Sequence, residues 1–340
     1  MEGILVVKIY FTSTDNNRSA HSENIRETTK YAVQSLESSK SKYLVTQTAD
    51  NADIILYIEP PNHKFQHYAH DLLKQDPIRR YPNRCFVVEF TDGSAGFLPG
   101  VYVGISRSRA DYTRFRSGCY LGLFNPLGTE TTSAREREDV RSDLLMSFRG
   151  FPSSTVRRRI FDTTFDRDDV SIVETSNFGI WTQTEDSRRV FYSEMLRSKF
   201  VLCPRGNGLT TARLFETMER GRAPVILADD WWAPEGPAWS DFSVLVSESK
   251  VSNLVEILSS YESQSAEMGR LAREAWEKWF SPEVRVLRTL QSIEDIMLYR
   301  PANHDEGEYQ RQWLGWEFAW RNGWTIPQKV ARRARGKIPR

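Results

Sequence analysis

Cysteine is scarce: the 340-residue chain holds three, Cys85, Cys119 and Cys203. None is spaced as Cys-x-x-Cys, and three cannot complete a disulfide framework, which points to a reducing compartment. Cys85 and Cys203 sit in apolar runs, where a small buried side chain is the ordinary role. Long uncharged apolar runs are also missing, so no segment reads as a bilayer span. The first residues are apolar but lack a basic leader and are interrupted by Lys8, which fits a first strand better than a signal peptide. Charge of one sign is lacking too. The net charge is +1 with 27% charged residues, so no field advertises nucleic acid as a partner. Nor is there a Gly-x-Gly-x-x-Gly followed by an acidic residue about 20 positions on, which argues against a dinucleotide oxidoreductase. No internal repeat or low-complexity segment is evident.

What is present centres on residues 198–232. Phe200 to Cys203 is a short continuous apolar run, as in a strand buried on both faces. Pro204 to Gly208 breaks it, and Gly206 and Gly208 allow a tight loop or close approach of a ligand. Thr210 or Thr211 is placed to cap a helix burying Leu214, Phe215 and Met218, with Gly221 as terminator. Ala223 to Leu227 is a second strand, and strand–helix–strand makes a βαβ unit. Ligands of open α/β sheets bind beyond the carboxyl ends of the strands, where a glycine loop and a helix N-terminus favour phosphate. Arg205 adds charge on the loop. Arg213 and Glu216, three apart, share one helix face: a guanidinium for pyrophosphate and a carboxylate for ribose hydroxyls. The competing reading is a solvated ladder of Arg213, Glu216 and Arg220.

The stretch "SKFVLCPRGNGLTTARLFETMERGRAPVILADDWWAPE" resembles the signature of the exostosin-like glycosyltransferases. The matching positions are Cys203, Pro204, Gly206, Arg213, Glu216, Gly221, Pro224 and Val225, then Trp231, Pro234, Trp239 and Phe242. Arg222 departs, standing where the family usually has Cys. The likeness covers about residues 140–260. It implies a GT-B fold: two Rossmann-like α/β domains with parallel sheets facing a cleft, and C-terminal helices crossing back. It further implies a nucleotide-sugar donor and inversion at the anomeric carbon.

Periodicity supports that architecture. Strands are expected at Ile4–Phe11, Asp53–Ile58, Arg84–Phe90 and Val101–Ile105, with helices at Asn24–Leu36 and His67–Leu73. The polar run Asn125 to Ser142 carries no apolar period and reads as the domain junction. Further strands are expected at Leu144–Phe148, Ser171–Val173 and Val244–Val246, with helices at Ser187–Leu196, from Val251 onward and at Val284–Tyr299. Three parts result: residues 1–140 as an acceptor domain, 141–285 as a donor domain, and 286–340 as crossover helices with a basic, aromatic tail.

An inverting transfer needs positive charge on the departing phosphates and a general base near the acceptor. The donor-side candidates are Arg149, Arg157, Arg205, Gly206, Asn207, Gly208, Thr210, Thr211, Arg213, Glu216, Asp230 and Trp231. Asp229 and Asp230 look superficially like a metal-binding acidic pair. The family resemblance is of the metal-independent type, so no metal or other cofactor is expected. Trp231 and Trp232 read either as a stacking wall or as lining of a cleft. Asp92, after the strand "CFVVEF", is the first candidate for the base, and "FTDG" faintly resembles the family's His-Asp-x-Gly. Glu59 is the alternate, with His63 behind it.

The expected donor is a UDP-sugar, with a GDP-sugar as the near alternative. The acceptor is a glycan or lipid-linked glycan, as in surface polysaccharide synthesis. A catalytically silent partner of a glycosyltransferase complex is the reading from another class. Relatives of this kind in animals and plants carry Golgi anchors, so the missing anchor suggests a cytoplasmic enzyme. Trp313, Trp316, Phe318, Trp320 and Trp324, followed by a run of basic residues, suggest peripheral membrane contact. A crossover helix with buried tryptophans and a solvated basic end is the alternative.

Overall fold

The computed structural model describes residues 6–15, 22–59, 65–90, 92, 94, 96–122, 142–175 and 184–321. Most of the expected junction, His63, Thr91 and Gly93 of "FTDG", and the tail from residue 322 lie outside them. The chain divides into two compact units. One takes residues 1–105, 109–122 and 289–340, and the other takes 106–108 and 123–288.

In the first unit, β1 (Val7–Thr12) leads to α1 (Ser22–Ser38), β2 (Tyr43–Val45), β3 (Ile54–Glu59), α2 (Phe65–Lys74), α3 (Asp76–Arg80), β4 (Cys85–Glu89), β5 (Gly100–Tyr102) and β6 (Phe115–Ser117). The sheet order is β2-β1-β3-β4-β5-β6, and every pairing is parallel. Strand β3 is buried at all six positions, which is why its first five residues, IILYI, form a continuous apolar run and not an alternating one before Glu59. Helix α1 buries Ile25, Thr28, Ala32 and Leu36 at helical spacing. Tyr31, beside Ala32 on the helix, is only half-buried. Gly100 is where only glycine fits: a Cβ there would meet the Val87 carbonyl oxygen at 2.0 Å.

In the second unit, β7 (Leu144–Gly150), α4 (Thr155–Asp162), β8 (Val170–Glu174), α5 (Glu185–Arg197), β9 (Ser198–Pro204), α6 (Ala212–Glu219), β10 (Ala223–Leu227), α7 (Trp239–Phe242) and β11 (Val244–Leu245) follow in turn. Helices α8 (Leu254–Tyr261) and α9 (Ser265–Trp279) complete it. Its order is β11-β10-β9-β7-β8, again all parallel. The core joins Leu145, Phe148, Phe200, Leu202, Val225 and Leu227 of the strands to Val156 and Ile160 of α4 and Leu254 and Leu258 of α8. Helix α10 (Arg285–Tyr299) begins in this unit and ends in the first, where α11 (Glu306–Gln312) and α12 (Trp316–Arg321) lie.

Two parallel-sheet α/β units, with the C-terminal helices returned to the first, are therefore present as expected. In each sheet the strand order reverses beside one strand, between β1 and β3 in the first and between β7 and β9 in the second. Those reversals are where open α/β sheets leave a crevice at their carboxyl edge. Short β2 and β6 and helix α3 were not anticipated. Three-residue strands carry too little periodicity to stand out.

Two carboxylates, Glu294 and Glu306, anchor the returning chain within the first unit. Lys42 pairs with Glu294 at 2.7 Å, and the Tyr43 hydroxyl donates to Glu294 at 2.6 Å. More deeply, the Arg114 guanidinium donates to both oxygens of Glu306, at 2.7 and 2.9 Å, with both side chains essentially sealed from solvent. The Glu306 N–H donates to Asn83 Oδ1 at 2.8 Å, and His304 lies 3.1 Å from the same carboxylate.

Candidate functional site

The donor-side candidates gather around the β7/β9 reversal. Ser154 accepts the Arg157 N–H and so caps α4, while its hydroxyl donates to the Arg205 carbonyl at 2.8 Å. The loop after β7 is thereby tied to the glycine loop after β9. Arg157 reinforces the tie: its guanidinium donates to the carbonyls of Pro204 (3.2 Å) and Arg205 (3.1 Å). Arg149 pairs with Glu194 of α5 at 2.6 Å. Arg205 is held by both oxygens of Glu248, at 2.6 and 3.1 Å. Gly206 faces Arg157 and Ser153, Asn207 is exposed and Gly208 buried.

Arg213 differs from these. Its Nη2 donates to the Arg149 carbonyl, but its buried Nε and Nη1 have no hydrogen-bond partner. The guanidinium lies over the rings of Phe148 (4.5 Å) and Phe191 (5.2 Å), and burial pulls its pKa down. Glu216, on the same helix, has its pKa pushed up by burial, against the pull of Arg220 and Arg213. The Tyr192 hydroxyl of α5 donates to Glu216 Oε1 at 3.4 Å, and Arg220 caps the Tyr192 ring at 3.6 Å. Arg220 is 1% exposed. The solvated-ladder reading of these three side chains is therefore wrong. The ring-bearing face of α5 covers them.

Helix α6 is held at both ends in ways the sequence only half indicates. Thr211 occupies the N-cap position but its side chain makes no capping bond, contrary to expectation. Thr210 is instead buried and accepts the Trp231 indole N–H at 3.1 Å. At the other end Gly221 takes φ +64°, its N–H bonding the Met218 carbonyl and that of Arg222 the Thr217 carbonyl. This 5→2 and 6→1 pair is the Schellman stop. Gly269 of α9 brings that helix against the turn, since a Cβ there would meet the Gly221 oxygen at 2.3 Å. Arg222 donates to the Leu196 carbonyl at 2.8 Å, a packing role.

The acidic pair after β10 is already engaged. Asp230 accepts the Ser108 N–H (2.9 Å) and hydroxyl (2.7 Å), and Asp229 accepts the Glu248 N–H at 2.9 Å. Among the described residues no group of three or more His, Cys, Asp or Glu side chains is arranged to hold a metal. Trp231 and Trp232 are 6% and 5% exposed, and Trp231 packs edge-on to Trp239 at 5.0 Å. They are interior residues here, not an open stacking wall. Burial pushes the Cys203 thiol up to about 12, so it is an inert core side chain.

Residues 113–261 match the model of the exostosin GT47 domain. Over that span, somewhat under half of its length, the chain is similar to the exostosin GT47 domain. Exostosin-1 homolog of Caenorhabditis elegans is 28% identical over 188 residues, 49% of this chain and 47% of that protein. Exostosin-2 of Homo sapiens is 36% identical over 121 residues, 34% of this chain and 17% of that one. A probable glucuronosyltransferase of Oryza sativa subsp. japonica is 39% identical over 77 residues, 22% of this chain and 18% of the relative. The chain thus spans less than half the length of each.

The matched span includes every donor-side candidate from Arg149 to Trp231, while Asp92 and Glu59 fall before it. Both belong to the carboxyl edge of the first sheet. Glu59 ends β3 beside the β1/β3 reversal, fully buried, and accepts the Thr14 N–H and hydroxyl, each at 2.9 Å. It fastens the end of β1. Asp92 stands two residues past Phe90 and is exposed. Sequence reasoning missed Tyr192, Glu194, Ser154 and Glu248. Only Ser154, a serine before a helical pattern, carried a usable signal.

Proposed function

We propose that this protein is a glycosyltransferase that moves a sugar from a nucleotide-sugar, a UDP-sugar in the first instance, to a glycan or lipid-linked glycan acceptor. The observation that carries the reading is the Arg213 guanidinium, buried with two N–H groups unpartnered. Buried donors left unpaired are costly in a resting fold, and two diphosphate oxygens would satisfy them. Glu216, neighbouring on α6, is the acceptor for ribose hydroxyls, and Tyr192 orients it. The uncapped N–H groups of α6 add a positive dipole end beside the glycine loop. Arg149, Arg157 and Arg205 shape the loops by their own pairings, so Arg213 is the cation left for the leaving group. This supports a metal-independent, inverting displacement, with the acceptor hydroxyl attacking as the nucleoside diphosphate departs.

The test is calorimetric titration with UDP, GDP, CMP and TDP, with Glu216→Ala as control. UDP binding that the substitution weakens about tenfold or more, as expected for a lost charge-assisted hydrogen bond, supports the reading. A preference for GDP would change the donor class. No nucleotide binding by the folded protein would refute the assignment of the site.

For the base we assign Asp92, because it is exposed at a strand end whereas Glu59 is sealed and spent on Thr14. Asp92→Asn is expected to lower kcat by about 10²–10⁴ while leaving nucleotide affinity unchanged. Unaltered turnover in that variant would move the role elsewhere.

A further inference from the structure

Large apolar side chains are not exposed evenly over this protein. Of the thirteen that stand exposed among the described residues, seven lie between Met297 and Trp320. Within that stretch α12 is sharply two-faced. Phe318 stacks on Phe97 at 5.1 Å, and Trp313, just before the helix, meets the same ring edge-on at 5.4 Å and is 2% exposed. These residues fix the helix to the first unit. On its other side Trp316 and Trp320, one helical turn apart with ring centroids 6.3 Å from each other, are 68% and 51% exposed. Leu314, at the entry to the helix, is 52% exposed.

Two tryptophans and a leucine presented on a helix whose opposite side is already satisfied need a reason, since lone exposed apolar residues are ordinary but a grouped set is not. The charge of the following sequence supplies one. Residues 322–340 contain Lys329, Arg332, Arg333, Arg335, Lys337 and Arg340 and no acidic residue. The whole chain nets +1, so residues 1–321 carry a net of −5 and the +6 that follows them is a local excess. Indole rings favour the boundary between water and acyl chains, with the apolar body immersed and the N–H left wet. Neighbouring arginines and lysines draw the same surface to anionic headgroups. Binding of such a surface grows with the apolar area it buries and with its attraction to anionic lipid, so the two signals add.

We propose that the outward side of α12, through Leu314, Trp316 and Trp320, is a docking surface for an anionic lipid bilayer, with the basic residues after it supplying the electrostatic attraction. Glu317 is also exposed on α12. It is turned about 100° from Trp316 around the helix axis and so flanks the indole pair instead of standing between the rings. No helix among the described residues is long and apolar enough to cross a membrane, so the contact is with the surface. The inference rests on exposure and charge and does not depend on the proposed reaction.

Flotation of the full chain with phosphatidylcholine vesicles, with and without about 30% phosphatidylglycerol, tests it. Partitioning is expected to be at least about tenfold stronger onto the anionic vesicles and to be released as salt rises from about 0.1 to 0.5 M. Trp316→Ser with Trp320→Ser, and separately Arg332→Gln with Arg333→Gln and Arg335→Gln, are each expected to reduce it at least about tenfold. Both sets are checked by circular dichroism for an unchanged fold. Absence of binding to the anionic vesicles overturns the proposal, as does binding that both sets of substitutions leave intact. A wild type that self-associates without binding vesicles, and becomes monomeric in the tryptophan variant, would make this side a contact between copies instead.

Discussion

Replacing Arg213 by methionine is expected to weaken nucleotide binding at least about tenfold while leaving the unliganded protein at least as thermostable as its parent. The side chain's Nε and Nη1 are buried without partners, and each such group costs about 1–3 kcal/mol. Methionine keeps the length and flexibility needed to fill the space against Phe148 and Phe191. What it forfeits is the attraction of the guanidinium to those rings, about 2 kcal/mol where desolvated, and the bond to the Arg149 carbonyl. These terms come close to cancelling, with the balance on the side of the variant. Binding has no such offset. Losing charge-assisted hydrogen bonds of about 1.5–3 kcal/mol predicts a fall in affinity of roughly 10- to 150-fold. Calorimetric titration with UDP and scanning calorimetry on one sample read both quantities. A sharp drop in Tm would show that Arg213 is a strut of the fold, and the donor site would have to be sought elsewhere.

The second large effect is expected at Glu306. Removing this carboxylate by Glu306→Ala leaves Arg114 buried without its counter-charge, beside Arg300, whose pKa burial already lowers to about 10. Breaking a buried pair from one side costs about 3–5 kcal/mol. For a unit of this size that lowers its unfolding transition by about 6–20 °C. The double change Arg114→Met with Glu306→Leu is expected to recover most of the loss, because the desolvation penalty disappears along with the attraction. His304 adds a pH signature. Burial and the Arg300 charge lower its pKa in the folded state, so folding favours the neutral ring. Its contribution is complete above the unfolded value near 6.5 and drains away as pH falls below it. His304→Gln is expected to flatten that slope in Tm measured against pH.

How much of this was readable beforehand depends on distance along the chain. The core side of α6, Leu214, Phe215 and Met218, follows from helical spacing, and the limits of β10 follow from an apolar run between breakers. Gly221 announced the end of α6 for a local reason, a backbone conformation that only glycine adopts cheaply. The fates of the arginines were not local. Arg205 is claimed by Glu248, 43 residues on, and Arg220 is roofed by Tyr192, 28 residues back. In sequence, Arg213, Glu216 and Arg220 are indistinguishable from an exposed ladder, because the spacing that lets charges pair in water also lets them share a buried side. Thr211 shows the reverse error: the right residue type at the N-cap, without the bond that the type suggests.

The division of the chain has a consequence for its synthesis. The second unit is almost one continuous stretch, complete once residue 288 has been made, whereas the first also includes residues 289–340. The part translated first is therefore the last that can finish folding. Until α11 emerges, Arg114 has no carboxylate to meet and Phe97 has neither Trp313 nor Phe318 against it. During that interval the nascent sheet keeps apolar surface open to water, which is the period in which a growing chain most needs shelter from its neighbours.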